Sequence, residues 1–128
     1  MGIFNSLFGT NDKKPKQAEK HLEWRRLTKI EQLDFLVNES KTKTVLIFKH
    51  STRCSISKMV FRNFEHMFNG ENYSLYYLDL LAYRNISDEI GFRFQVLHQS
   101  PQIIILKNGM AILDTSHYGI NEVDYSRV

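Results

Sequence analysis

The spacing of the hydrophobic positions changes at one point of the chain, near Cys54. Residues 45–48 form a short apolar run rich in strand-forming side chains, which is typical of a buried strand. Beyond Cys54 the apolar residues recur three and four positions apart, which predicts one face of an amphipathic helix. These residues are Ile56, Met59, Val60, Phe64, Met67 and Phe68. The pattern therefore predicts that Cys54 lies where a buried strand is followed by a helix.

The residues before this point predict a short strand and one helix. Residues 10–20 are polar and charged, as in a linker, and a first strand is expected around residues 24–27. Thr28 and Glu31 have the spacing of a capping box, which predicts that a helix starts there. Its apolar face is formed by Ile30, Leu33, Leu36 and Val37.

The residues after the central helix predict three more strands and two more helices. Residues 74–81 are typical of a buried strand. The strands predicted at 102–106 and 110–114 are joined by Asn108-Gly109, a strong signal for a two-residue hairpin. Residues 120–128 are expected to form a short closing helix. The helix between the strands at 74–81 and 102–106 is predicted by the spacing of Ile86, Ile90, Phe94 and Leu97.

The predicted order of elements is β-α-β-α-β-α-β-β-α. Alternating strands and helices favour parallel pairing, whereas the final hairpin must be antiparallel. This order is similar to that of thioredoxin-like α/β domains, with a central mixed sheet of four to five strands flanked by helices. We expect one such domain over residues 21–128, preceded by a disordered or loosely docked extension over residues 1–20.

Composition and charge exclude several classes of protein. The chain has 128 residues and a formal net charge of +3. Residues 1–30 hold seven Lys and Arg against three Asp and Glu, so the excess positive charge belongs to the N-terminal end. The nearly neutral remainder does not favour nucleic-acid binding. No apolar run approaches the length of a membrane span, and a reducing cytoplasm is the expected location of a chain with one cysteine.

Cys54 is the candidate nucleophile because several features favour its thiolate form. It precedes a predicted helix, whose free N–H groups attract negative charge, and Lys49, His50 and Arg53 lie nearby. Ser57 stands where a CxxC motif has its second cysteine, so its hydroxyl is expected to donate to the thiolate. Ser55, the first predicted helical residue, brings a further N–H group. A single cysteine cannot form an internal disulfide, and the alternative is an inert, buried thiol.

Pro101 is the second candidate site element. The Ser100-Pro101 bond precedes a predicted strand and is a candidate for the cis form. In thioredoxin-like proteins such a loop lies against the active cysteine and offers the backbone of the residue before proline, here Ser100, to an extended substrate. His98 and His117 are candidates for lining the same cleft, although a surface or structural role is the alternative for each. The histidines do not form a convincing metal-binding set, and no metal is expected.

Several of these motifs together resemble the YtxJ family of monothiol bacilliredoxins. The resemblance covers roughly residues 22–120. It rests on motifs in the segments 48–57, 83–87, 98–103, 107–109 and 116–117. It implies a thioredoxin-like cytoplasmic bacterial protein that removes bacillithiol from S-bacillithiolated proteins, with Cys54 as the attacking thiol. The family usually has proline after the cysteine, whereas this chain has Ser55.

The resemblance favours an enzyme of thiol–disulfide exchange, and two other functions stay open. The expected partners are S-bacillithiolated proteins and bacillithiol as co-substrate, with no tightly bound cofactor and a monomeric protein. Substrate contacts are expected from Ser100, Pro101, His98, Lys49 and His50, and thiolate stabilisation from Ser57, Ser55 and Arg53. One alternative is a carrier of an iron–sulfur cluster shared between two subunits, and the other is a non-catalytic redox-sensing adaptor.

Overall fold

The computed structural model describes residues 22–128, which fold around one five-stranded mixed sheet. The predicted extension, 1–20, lies outside the described residues. The strands are β1 (Trp24–Arg26), β2 (Thr44–His50), β3 (Tyr73–Asp79), β4 (Gln102–Lys107) and β5 (Met110–Ser116). The α-helices in this part of the chain are α1 (Glu31–Glu39), α2 (Ser55–Met67) and α3 (Arg84–Phe94).

The strands lie in the order β1-β3-β2-β4-β5, so β2 is central. β1, β3 and β2 are parallel to one another, whereas β4 pairs antiparallel with β2 and β5 antiparallel with β4. A parallel pair needs a crossover, and α1 and α2 make the connections between β1, β2 and β3. The structure therefore confirms the predicted mixed sheet flanked by helices, with five strands.

Alternate residues of β2 point into two separate hydrophobic layers. Val45 and Ile47 join the layer that contains α1 and α3, whereas Leu46 and Phe48 join the layer that contains α2. Both sets are completely buried, which explains why the strand appears in the sequence as a continuous apolar run. The carboxyl end of this buried strand leads directly to Cys54.

The start of α1 differs from the predicted capping box. The helix begins at Glu31, and the residue before it makes no side-chain capping bond. Instead the side-chain oxygen of Gln32 accepts hydrogen bonds from the backbone N–H groups of Thr28 (2.7 Å) and Lys29 (2.9 Å). The prediction of Thr28 and Glu31 as the capping pair was wrong, because the neighbouring amide caps the preceding turn.

Two predicted helical faces are only partly buried. In α2 the buried stripe contains Ser57, Val60 and Phe64, while Ile56 and Met59 are about two-fifths exposed. The helix α3 ends at Phe94, three residues before Leu97, which is 83% exposed. It ends there because Gln95 takes a left-handed conformation (φ 57°) and the N–H of residue 96 returns to the carbonyl of residue 91.

The end of the chain contains the predicted hairpin but no closing α-helix. Asn108 (φ 52°) and Gly109 (φ 78°) both have the positive φ values that a tight hairpin of this type requires. The chain ends instead in two short 3-10 helices, His117–Glu122 and Tyr125–Arg127. The first packs against α2. Within residues 22–128, no helix has the length and apolar character needed to cross a membrane.

Candidate active site

Cys54 is the residue immediately before the first turn of α2. Its backbone is extended (φ −103°, ψ 123°), and its carbonyl accepts the hydrogen bond from Lys58 N–H at 3.0 Å. The side chain makes no capping bond and is half-buried as a free thiol. The N–H groups of the first helical turn have no partners within the helix, so they create a partial positive charge beside the sulfur. This placement matches the predicted strand-to-helix transition.

Three separated segments meet at the end of the sheet where Cys54 lies. Gln102 pairs with Lys49, which places the Ser100–Pro101 peptide beside the carboxyl end of β2. This peptide bond is cis. The N–H of His117 donates to the Pro101 carbonyl at 2.9 Å, which joins the segment after β5 to the same loop. The fold therefore places the cysteine, the proline loop and His117 at the same end of the sheet.

Ser57 is completely buried, and its hydroxyl has two partners in the turn before α2. The oxygen accepts a hydrogen bond from Ser51 N–H at 3.0 Å and lies 2.7 Å from His50 Nδ1. The structure shows no hydrogen bond between this hydroxyl and Cys54 in the described contacts. The Ser57 hydroxyl was expected to donate a hydrogen bond to the Cys54 thiolate, but in the structure it contacts His50 instead.

His50 is buried against aromatic side chains, contrary to the expectation that it faces a substrate. Its ring stacks on Phe61 at 5.0 Å between centroids and lies 5.8 Å from the ring of Tyr77. Burial lowers the pKa of His50, which opposes a favourable contribution from Asp79. The imidazole is therefore neutral at neutral pH, with one ring nitrogen committed to Ser57.

Lys49 lies on the opposite side of β2 and is also completely buried. Its Nζ donates a hydrogen bond to His98 Nδ1 at 2.9 Å, and Ser87 Oγ lies 3.5 Å from the same nitrogen. Burial lowers the pKa of Lys49 to about 8, despite the attraction of Asp88. The expected substrate contact of Lys49 is contradicted by its complete burial, because the amine cannot reach solvent.

The remaining predicted site residues lie at or near the surface. Arg53, Ser55 and His98 are exposed, whereas Ser100 is half-buried. Partial desolvation of the His98 ring lowers its pKa, and the positive charge of Lys49 lowers it further. The Ser100 hydroxyl is buried without a hydrogen-bond partner among the described residues. A buried hydroxyl without a hydrogen-bond partner is uncommon in native proteins.

The hydrogen bonds of Ser51 and Ser87 within the site are not predicted from the sequence. Neither residue belongs to a recognisable motif; the Ser51 N–H bonds to Ser57, and the Ser87 hydroxyl lies beside His98 Nδ1. A usable signal for His50 and Ser57 was present, because a polar residue on the buried stripe of a helix needs a polar partner. Among residues 22–128, no three His, Cys, Asp or Glu side chains form a group that could hold a metal ion.

The fold and this site define a thioredoxin-like redox protein with a single cysteine. Comparison with protein families identifies the matching family model as "Monothiol bacilliredoxin BrxC", over residues 25–124. The match covers most of the chain. The chain therefore belongs to the monothiol bacilliredoxin BrxC family, which agrees with the family that the sequence motifs resemble.

Solved structures support the same fold. A structure described as a candidate oxidoreductase with a thioredoxin fold is 29% identical, with a TM-score of 0.71, and the match covers 81% of this chain and 91% of that one. Thioredoxin from Schistosoma mansoni is 20% identical, with a TM-score of 0.62 and coverage of 82% and 95%. Thioredoxin from Trypanosoma brucei brucei is 17% identical, with a TM-score of 0.61 and coverage of 78% and 83%. The last two show the fold alone.

Proposed function

We propose that this protein is a thiol–disulfide exchange enzyme that removes bacillithiol from S-bacillithiolated proteins through Cys54. The observation that carries the proposal is the position of the only cysteine of the chain, half-buried before the first turn of α2. Membership of the monothiol bacilliredoxin family supports bacillithiol as the small thiol. A cysteine that must stay free for exchange suits a reducing cytoplasm, which is the location that we propose.

The reaction is a transfer of bacillithiol from a protein cysteine to Cys54. The Cys54 thiolate attacks the bacillithiol sulfur of the mixed disulfide, and a new S–S bond forms as the old one breaks. The substrate protein leaves as a thiolate and takes a proton from water. Because the chain has no second cysteine, a further thiol from solution, such as free bacillithiol, must attack the adduct to restore Cys54.

The surroundings of Cys54 support this chemistry in two ways. The free N–H groups at the start of α2 stabilise the thiolate both as attacking group and as leaving group. The exposed guanidinium of Arg53 is next to the cysteine and is suited to the carboxylates of bacillithiol. The Ser100–Pro101 loop supplies backbone groups, and we propose that an extended substrate segment lies along it.

Mass spectrometry of a single exchange tests the proposed function. Purified protein is mixed with a bacillithiolated model protein, with Cys54→Ala in parallel and Ser55→Ala as a variant that keeps the thiol. We expect the wild type and Ser55→Ala to gain one bacillithiol as the model protein loses it, whereas Cys54→Ala does nothing. If the model protein keeps its adduct while Cys54 stays free, the proposed exchange is wrong. A brown, cluster-containing dimer after anaerobic purification would instead indicate an iron–sulfur carrier.

A further inference from the structure

The loop between α3 and β4 has no buried apolar side chain between its two ends. Val96 and Pro101 are buried and anchor these ends. Between them the side chains of residues 97–99 are exposed, and Leu97 is 83% exposed. A segment with few buried apolar contacts opens easily unless other contacts fix it. In this loop the other contacts are hydrogen bonds to buried polar side chains of the sheet.

Gln102, the first residue of β4, makes two of these hydrogen bonds with one side chain. Its Nε2 donates to the Leu97 carbonyl at 2.9 Å, and its Oε1 accepts from the Gln99 N–H at 3.2 Å. The residue is only 1% exposed. A buried amide is costly unless it is hydrogen-bonded, and here the loop satisfies both its donor and its acceptor. We call this pair of bonds the Gln102 clamp.

A second buried side chain holds the residue between the two that Gln102 binds. Lys49 is the partner of Gln102 across β2 and β4, so the two side chains lie on the same face of the sheet. Lys49 Nζ donates to His98 Nδ1 at 2.9 Å. Three consecutive loop residues, Leu97, His98 and Gln99, are therefore each held by a buried polar group of the sheet.

Ser100 follows these three residues and differs from them. Among residues 22–128 no hydrogen bond to its backbone N–H, its carbonyl or its hydroxyl is present. Both neighbours are held, because the Gln99 N–H donates to Gln102 and the Pro101 carbonyl accepts from the His117 N–H at 2.9 Å. The backbone of Ser100 is therefore free to bind another group, while the residues on either side fix its position.

We propose that the Gln102 clamp positions the backbone of Ser100 to pair with an extended polypeptide segment of the substrate. A loop that is already ordered loses little conformational entropy when the substrate binds. The main chain of an extended peptide supplies the N–H and carbonyl groups that such a site requires. Gln102 is a positioning residue that acts through the loop. The inference rests on the proposed binding of the substrate of Cys54 along this loop.

Amide hydrogen exchange tests the clamp itself. Gln102→Met keeps the length of the side chain but has neither amide group, so the Gln99 N–H should exchange about 3- to 10-fold faster. Gln102→Asn keeps an amide on a shorter side chain and should act in the same way. It replaces Gln102→Met if thermal unfolding shows that this variant does not fold. The matched control is Gln32→Met, because the Gln32 amide caps the turn at Thr28 and Lys29 and its loss should leave Gln99 unchanged.

Two disulfides that need no bacillithiol test the effect on substrate binding. One is an unstructured peptide whose single cysteine carries thionitrobenzoate, and the other is the symmetric disulfide of thionitrobenzoate, which has no polypeptide. In each reaction the Cys54 thiolate forms a new S–S bond, and thionitrobenzoate leaves with the electrons of the old bond. We expect Gln102→Met to lower the second-order rate constant for the peptide by about 5-fold or more. Its rate constant for the small disulfide should match that of the wild type, and Gln32→Met should match the wild type for both.

Four results would overturn the proposal. One is an unchanged exchange rate of the Gln99 N–H in both Gln102 variants, which would show that the clamp does not hold the loop. Another is an unchanged peptide rate in a variant whose loop has become mobile. Equal losses with both disulfides would show an effect on Cys54 itself. A wild type that reacts with the small disulfide but not with the peptide would exclude a polypeptide site. If Gln102→Met loses only the peptide reaction in a protein that does not remove bacillithiol, the positioning role stands and the proposed exchange is rejected.

Discussion

Arg53 is an exposed positive charge next to Cys54. Lys49 and His50 lie close to Cys54 in sequence, but alternation along β2 turns their side chains into opposite layers, where both are buried. Arg53 follows the end of the strand and is exposed. An anionic small thiol would therefore meet Arg53 rather than the two preceding basic residues.

Replacing Arg53 should weaken the reaction with an anionic adduct and leave the thiol itself largely intact. For Arg53→Gln we expect a fall of about 2- to 5-fold in kcat/KM with a bacillithiolated protein, the size of an exposed charge interaction. The loss should shrink as salt rises, because salt screens exposed charges. Exchange rates at low and high ionic strength measure this difference.

The control for this prediction is Arg62→Gln, which removes an exposed charge farther along the same helix. Its salt dependence should match the wild type. Equal losses for the two variants would indicate a general field effect and would contradict a specific contact at Arg53.

At the scale of elements, the sequence predicts the strand-to-helix transition at Cys54 but does not predict which face of α2 is buried. The apolar run of β2 and the helical spacing after Cys54 place the cysteine correctly. The stripe of α2 that packs inward nevertheless includes Ser57, while Ile56 and Met59 stay partly exposed. The spacing of the apolar residues alone does not show that Ser57 is buried, because its burial depends on the hydrogen bond between its hydroxyl and His50 Nδ1.

The hairpin between β4 and β5 depends on the backbone freedom of one glycine. Gly109 has φ 78°, and an added Cβ would meet only an ordinary contact with Val37 at 3.5 Å. The loss of stability in Gly109→Ala therefore comes from placing alanine in a left-handed backbone conformation and not from a steric clash. We expect the free energy of unfolding to fall by about 1–2 kcal/mol in urea titrations.

Asn108→Gly is the matched variant for this turn, because residue 108 also has a positive φ. Glycine relieves the strain at that position but loses more entropy on folding, so we expect stability within about 0.5 kcal/mol of the wild type. A Gly109→Ala protein as stable as the wild type would show that the turn adopts another conformation.

At the scale of the whole molecule, the site is assembled from residues far apart in the chain. Cys54, the proline loop and His117 lie at the same end of the sheet because β4 pairs with the central strand β2 and β5 pairs with β4. The order of elements predicts this arrangement of the chain segments. The side-chain links within it depend on which face each residue takes, and only the folded structure shows them.

Lys49 links three parts of the molecule and makes its stability depend on pH. The amine, on β2, bonds to His98 in the loop after α3, and His98 lies beside Ser87 of that helix. Its pKa is about 8 in the folded protein against 10.5 as the ordinary value. Between these pH values the unfolded chain holds the proton and the folded protein does not, so the free energy of unfolding rises with pH. Below pH 8 both states are charged, and the burial cost is present in full.

Lys49→Met should therefore remove a pH-dependent cost. We expect the variant to be at least as stable as the wild type at pH 7, because a buried charge is replaced by an apolar chain of similar length and exposed His98 can bond to water. Between pH 8 and pH 10.5 the free energy of unfolding of the wild type should rise, relative to that of the variant, by on the order of 1–3 kcal/mol. Urea unfolding at several pH values measures the difference, with Lys41→Met as an exposed control whose stability should run parallel to the wild type. If Lys49→Met also runs parallel to the wild type, the buried amine keeps its proton throughout this range, and its bond to His98 stabilises a charged lysine.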